Sequence, residues 1–277
     1  LNSSNQLVSK YVSELEQQLK VRLFNRTTRR VHLTEEGEQC VLHARRILES
    51  YTDMENYFGQ YHNAATGTLR MGAPVSFATL HLPNLIREFK QHYPDVRINL
   101  ELGDRKVDVV EEGFDVVLRI GQLRSSSLIA KKIAPIRLVL CAAPEYIRHN
   151  GMPNSPDDLH AEHFLHYSYM EYSDSQSHLM AVLKQYSQRD SSPMVVNNGQ
   201  LLMEAAIAGE GYVLQPTFIV GDALKQGKLK IMLPEHEPST LGLYAVYPHR
   251  KLLAPKLQVF IEFISDYFGG KPYWDDY

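Results

Sequence analysis

Apolar residues first recur at helical spacing near the start of the chain. Val8, Val12, Leu15 and Leu19 form one stripe, while Asn5, Gln6, Ser9 and Lys10 fall on the other faces. Ser4 stands where an N-cap is needed, its side-chain oxygen able to accept from a first-turn N–H. A helix is therefore expected to start there, followed by a second short element and a hairpin. In the hairpin, Arg26, Thr27, Thr28, Arg29 and Arg30 precede Val31 and Leu33, which alternate around His32. Thr34 is a further cap, with Glu35 and Glu36 where acids favour a helix N-terminus. Cys40, Ala44, Ile47, Tyr51, Met54, Phe58 and Tyr61 then follow steps of four and three, a heptad seam in a helix predicted over residues 35–61. Such a seam either lies on its own domain or pairs with a second helix. The length favours pairing, with Ala44, Ile47, Tyr51, Met54 and Phe58 in the contact.

Residues 62–67 break this period with small and polar side chains and read as a hinge. Beyond them strands and helices alternate. A strand at 68–73 leads into a helix carrying Leu82, Leu85, Ile86 and Phe89, which Tyr93-Pro94-Asp95 stops. A strand at 96–102, a short helix marked by Val107 and Val110, and an apolar run at 114–120 follow. Further strands are predicted at 128–133, 137–142, 194–196, 212–214, 229–232 and 243–246. Helices are predicted at 200–208, after Pro216 and at 256–268, with 269–277 as a loose tail. The alternation predicts a parallel sheet covered by helices.

Charge divides the chain. Residues 1–34 hold six Lys/Arg (Lys10, Lys20, Arg22, Arg26, Arg29, Arg30) against Glu14 and Glu16, while the whole carries a net charge of −3. Cation excess confined to one end is the footprint of a nucleic-acid module joined to a neutral or acidic partner. On that reading Ser4, Asn5, Gln6, Ser9 and Lys10 face DNA from the helix, and Arg26, Thr27, Thr28, Arg29 and Arg30 from the hairpin. A solvated helix and a basic turn would share this composition. At 277 residues, 44% hydrophobic and 22% charged, the chain has the make-up of a globular protein of about two domains. No run approaches the roughly 20 apolar residues of a membrane span, so no membrane partner is expected. Cys40 and Cys141 stand far apart, which argues against disulfides or a zinc motif and makes a reducing cytoplasm the simplest location.

Ser76 and Phe77 sit where a strand turns into a helix, a place whose free N–H groups and dipole favour an anion. Ser125 and Ser126, Asn198 and Phe218 also follow predicted strands, so all of these could converge on one cleft outside the strands' carboxyl ends. Each of them also suits an ordinary cap or turn. His160, His163 and His166 match no common metal spacing, and neither a metal nor a cofactor is expected. Tyr167, Tyr169 and Tyr172 read as packing. Without G-x-S-x-G, a Gly-rich phosphate loop or a Cys beside a base, catalysis is not expected.

The order Val8-Ser9-Lys10, Leu15-Glu16, Leu23-Phe24-Asn25-Arg26-Thr27, Leu33-Thr34-Glu35-Glu36-Gly37 resembles the winged helix-turn-helix of LysR-type transcriptional regulators. The resemblance runs on through Gly67-Thr68-Leu69-Arg70, Ala73-Pro74-Val75-Ser76-Phe77, Tyr93-Pro94-Asp95-Val96, Glu112-Gly113-Phe114-Asp115, Arg119-Ile120-Gly121, Asn197-Asn198-Gly199 and 243–248. It implies an α/β chain with a recognition helix and wing at 1–34, a dimerising linker helix at 35–61 and a hinge at 62–67. An effector domain at 68–269, similar to type 2 periplasmic binding proteins, would follow, and then a tail at 270–277. Lobe one would comprise 68–142 and 243–269, and lobe two 143–242. The implied partners are double-stranded DNA with a pseudo-palindromic operator, a small-molecule effector, and copies of itself in a homodimer or homotetramer; the anion-favouring turn at Ser76 makes a carboxylate one candidate for that effector. The family has two helices before the recognition helix, whereas this sequence begins in the turn leading into it. The winged helix-turn-helix would then be truncated, and poor operator binding by the chain as given is expected. Residues 170–192 depart too, being Tyr-, Ser- and Gln-rich where relatives have a Trp and a Gly-rich turn. The rival readings are a stand-alone solute-binding protein and an enzyme on the same scaffold.

Overall fold

The computed structural model describes residues 5–26, 31–58, 65–105, 107–122, 128–172, 174, 176–188, 192–248 and 253–277. They fall into two compact units, Leu1–Ala64 and Ala65–Tyr277.

In the first unit, α1 (Asn5–Leu19) carries the expected stripe and ends at Lys20, whose φ of 56° is left-handed. Among the described residues no second short element follows: residues 20–23 form a turn into the hairpin of β1 (Phe24–Arg26) and β2 (Val31–Leu33), which pair antiparallel. Glu16 clamps that turn, its Oε1 accepting from the backbone N–H groups of Leu23 at 2.7 Å and Phe24 at 3.1 Å. Leu23 is buried and lies so close to α2 (Glu35–Phe58) that a Cβ on Gly37 would sit 2.0 Å from its carbonyl oxygen. Only glycine permits that approach. Thr34 caps α2 as expected, its Oγ1 accepting from the Gly37 N–H at 2.9 Å. Val8, Leu15 and Leu19 are exposed, as are Ala44, Ile47, Tyr51 and Met54 of the heptad seam. Tyr61 lies outside the described residues, and so does the side chain of Phe58.

The second unit opens with β3 (Gly67–Ala73), α3 (Val75–His92), β4 (Val96–Leu102), β5 (Val116–Gly121) and β6 (Ile129–Ile136). β7 (Leu138–Ala142), α4 (Pro144–Asn150), β8 (Leu165–Tyr167), α5 (His178–Ser187) and β9 (Met194–Val196) follow. The chain continues through α6 (Gly199–Ile207), β10 (Tyr212–Pro216), α7 (Thr217–Lys225), β11 (Lys230–Met232), β12 (Leu241–Tyr247) and α8 (Pro255–Phe268). One sheet has the order β4-β3-β5-β12-β6 and a second β10-β7-β11, to which the β8–β9 pair is joined by a parallel bridge between Phe164 and Tyr212. Leu69, Met71, Leu85, Phe89 and Phe260 fill the core around the first sheet, and Leu140, Phe164, Leu183 and Tyr212 that around the second.

Four expectations change. The sheets are mixed: β3 runs parallel to β4 and β5, but β12 is antiparallel to β5 and β6, and β7 is antiparallel to β10 and β11. Parallel pairing joins strands linked by crossovers, β3 with β4 and β5 and also β8 with β9, whereas β12 returns from the other sheet. The crossing between sheets comes at Arg137, so 138–142 belongs to the second sheet rather than to lobe one. Val107 lies in irregular backbone and Val110 in a turn, with Val109 the buried residue, because Asp108 accepts from the N–H groups of Val110 and Glu111 and closes a turn there. The tail is docked rather than loose. A 3₁₀ turn at Tyr273–Asp275 buries Trp274 against Phe77, His81, Phe218 and Phe268.

The outward and returning crossings are pinned together. Arg137 donates to both carboxylate oxygens of Glu237, at 2.7 and 2.6 Å, and its Nη1 donates to the Tyr277 hydroxyl at 2.7 Å.

Candidate functional site

Between the sheets of the second unit lies a cavity of about 1030 Å³. Its wall is built where β3 turns through Pro74 into α3, and where β10 turns through Pro216 into α7. The first turn supplies Ser76 and Phe77, both buried, and the second supplies Gln215 and Phe218. The N–H groups of Ser76 and Phe77 belong to the first turn of α3 and have no intrahelical acceptor. They make this end of the cavity a seat for negative charge.

Gln215 is 2% exposed and its Nε2 is buried with no hydrogen-bond partner. Its Oε1 occupies the space left by Gly199, where a Cβ would come within 2.8 Å of it. A buried donor without an acceptor is costly, which makes the carboxamide nitrogen a candidate donor to a ligand oxygen. Aromatic rings of Phe77, Phe114, Tyr167 and Phe218 line much of the rest. The two arginines on the wall are already engaged. Arg105 forks onto Glu112 at 3.1 and 2.8 Å, and Arg119 Nη2 donates to the carbonyl of Val107.

Behind Phe77 and Phe218 sits His81. Its Nε2 is 3.0 Å from the Phe218 carbonyl, which can only accept, so Nε2 carries the hydrogen and Nδ1 accepts from the Tyr273 hydroxyl at 2.6 Å. Burial lowers its pKa, against the opposing pull of the Phe218 carbonyl and the Asp222 charge. A histidine pKa lowered by folding means that the unfolded chain binds more protons on acidification. Stability is thus whole above the unfolded value of about 6.5 and is lost as pH falls through the folded value. His166, also lowered by burial, adds in the same direction. The melting temperature is expected to drop between about pH 7 and pH 5, and less steeply in His81→Gln; an equal slope in the variant would refute this role.

Of the residues expected in the cleft, Ser76, Phe77 and Phe218 line it. Asn198 is not among the lining residues: it caps α6, its Oδ1 accepting from the Leu201 N–H at 2.9 Å. Ser125 and Ser126 lie outside the described residues. In the basic segment, Ser9 and Lys10 are exposed on α1, with Lys10 3.8 Å from Glu14. Ser4, Thr27, Thr28, Arg29 and Arg30 lie outside the described residues, as do the side chains of Asn5, Gln6 and Arg26. His163 is tied to the Tyr146 hydroxyl at 2.8 Å, an ordinary packing partner. Sequence reasoning missed Gln215, although it stands before a Pro at a strand end just as Ser76 stands after one. It also set Tyr167 aside as packing, and Asp104, at the far end of β4, carried no signal.

Residues 62–269 match the LysR substrate-binding domain and residues 1–38 the bacterial regulatory helix-turn-helix of the lysR family. The chain belongs to the LysR family of transcriptional regulators. The HTH-type transcriptional activator AaeR of Escherichia coli is 33% identical over 270 residues, covering 97% of this chain and 86% of its own. An HTH-type transcriptional regulator of Haemophilus influenzae is 33% identical over 260 residues, covering 92% and 88%. Among solved structures, the LysR-type regulator CrgA of Neisseria meningitidis matches with a TM-score of 0.65 at 29% identity, over 96% of this chain and 90% of that one. LysR-type regulators bind DNA and small-molecule effectors, and the cavity lies within the stretch matched to the family's substrate-binding domain. Among the described residues, no helix is long and apolar enough to cross a membrane.

Proposed function

We propose that this LysR-type regulator takes a small carboxylate with an apolar or aromatic body as its effector. The carrying observation is the buried, unpartnered Gln215 Nε2 on the same cavity as Ser76 and the first turn of α3. The carboxylate accepts from the Ser76 hydroxyl, the α3 N–H groups and Gln215, while Phe77 and Phe218 enclose the body. The protein works in the cytoplasm as a binding switch without turnover. Its α1 and basic hairpin face DNA, and the exposed seam of Ala44, Ile47, Tyr51 and Met54 on α2 joins two copies over a pseudo-palindromic operator. Ligand and DNA then alter each other's affinity reciprocally.

Titration calorimetry with benzoate and hexanoate tests the cleft. A hydrogen bond to a charged group is worth about 1.5–3 kcal/mol, so Ser76→Ala and Gln215→Leu are each expected to weaken binding about 10-fold or more. Wild-type affinity in both variants would rule out this mode of binding.

A further inference from the structure

The N-terminus of α3 already holds a carboxylate. Asp104, just beyond β4, accepts from the Val75 N–H through Oδ1 at 3.0 Å and lines the same cavity as Ser76 and Gln215. Tyr167, at the end of β8 in the strand pair joined to the second sheet, lines the same cavity. Burial first, and the Asp104 charge second, push the Tyr167 phenol well above its ordinary pKa. Asp104 is therefore bonded to a helix of the first sheet and acts electrostatically on a strand joined to the second. The arginines of the wall are bound to Glu112 and to the Val107 carbonyl. Glu101 and Glu171, on the same wall, add negative charge.

We infer that Asp104 is a tethered stand-in for the effector carboxylate, which occupies the α3 end in the empty cleft and is displaced when a ligand carboxylate settles on Ser76. The inference rests on the carboxylate reading of the cleft. Two carboxylates brought to one helix end repel, which favours departure of the tethered one. Asp104 competes at the high effective concentration that a short tether provides. Ligands whose carboxylate binds less favourably than this internal group fail to displace it, so Asp104 sets a threshold for anionic effectors and leaves neutral ones unaffected. As it leaves, its charge moves away from Tyr167 on the facing wall, so occupancy of the cleft also alters the electrostatics between its two sides.

The test uses the full chain, with benzoate and its neutral isostere benzamide as calorimetric probes. Asp104→Asn keeps an oxygen to accept from Val75 but removes the charge, and Asp104→Ser does the same with a hydroxyl. Thermal melting establishes that each variant is folded. Benzoate is expected to bind about 10-fold more tightly to both variants, with benzamide binding unchanged. Unaltered or weaker benzoate binding in a folded variant overturns the inference, as does equal tightening of benzamide. If benzoate binds the wild type, and Ser76→Ala weakens it, but Asp104→Asn brings no gain, only the stand-in role fails. If benzoate and hexanoate bind neither the wild type nor Asp104→Asn, the carboxylate reading and the stand-in role fail together.

Discussion

Replacing Trp274 with alanine is expected to lower the melting temperature of the second unit by about 6–20 °C. The indole is 6% exposed and packs against Phe77, His81, Phe268 and Tyr273, with ring centroids 4.9–5.8 Å apart. Truncating a buried Trp to Ala costs about 3–5 kcal/mol, through lost transfer energy and the cavity left behind. In a domain of this size each kcal/mol shifts the midpoint by about 2–4 °C. The segment docks because α7 yields space for it: a Cβ on Gly221 would lie 2.6 Å from the Trp274 carbonyl oxygen. The loss should also reach the cleft, since Phe77 and Phe218 face the cavity and lean on Trp274 behind it. Benzoate affinity is expected to fall alongside the melting temperature. A melting temperature within 2 °C or so of wild type would mean that the tail contributes little to the fold.

Lys256→Met is expected to cost about 3–5 kcal/mol, the range for breaking a buried ion pair by removing one partner. Lys256 is 3% exposed, and its Nζ lies 2.8 Å from the Thr68 carbonyl and 3.5 Å from Asp115 Oδ2. These contacts bind the start of α8 to β3 and to the strand entry before β5. Methionine fills the same space but leaves Asp115 without its cation. Asp115 keeps the Arg70 N–H at 2.9 Å, which moderates the loss toward the lower figure. Adding Asp115→Asn removes the stranded charge and is expected to recover much of the stability. Denaturant unfolding of both variants decides this, and a Lys256→Met effect inside about 0.5 kcal/mol would show the pair to be inert.

These two contacts mark where sequence reasoning stopped. Lys256 looked like an ordinary first-turn residue of the last helix, yet its acceptor lies 188 residues earlier. Trp274 stood among small, charged and aromatic residues after the last helical period, with no periodicity to signal burial. Ser76, by contrast, was legible because a strand, a proline and a helix follow one another locally, and the chemistry of a helix N-terminus needs no distant residue. The same rule would have found Gln215 before Pro216, had the unpaired donor been visible. Asp104 was invisible because its partner Val75 is 29 residues away.

The sequence by itself determined most of the strands and helices, though not the short elements between Pro144 and Ser187, together with the basic composition of the N-terminal segment, the capped helix α2 and the family. All of these depend on local spacing, local charge and the order of short motifs. Tertiary structure alone decided that the chain changes sheet at Arg137, that the last residues pack behind Phe77 and Phe218, and that an aspartate accepts from the first N–H of α3. Each of those results from distant segments competing for the same buried space or the same N–H group, and no local pattern records the outcome of that competition.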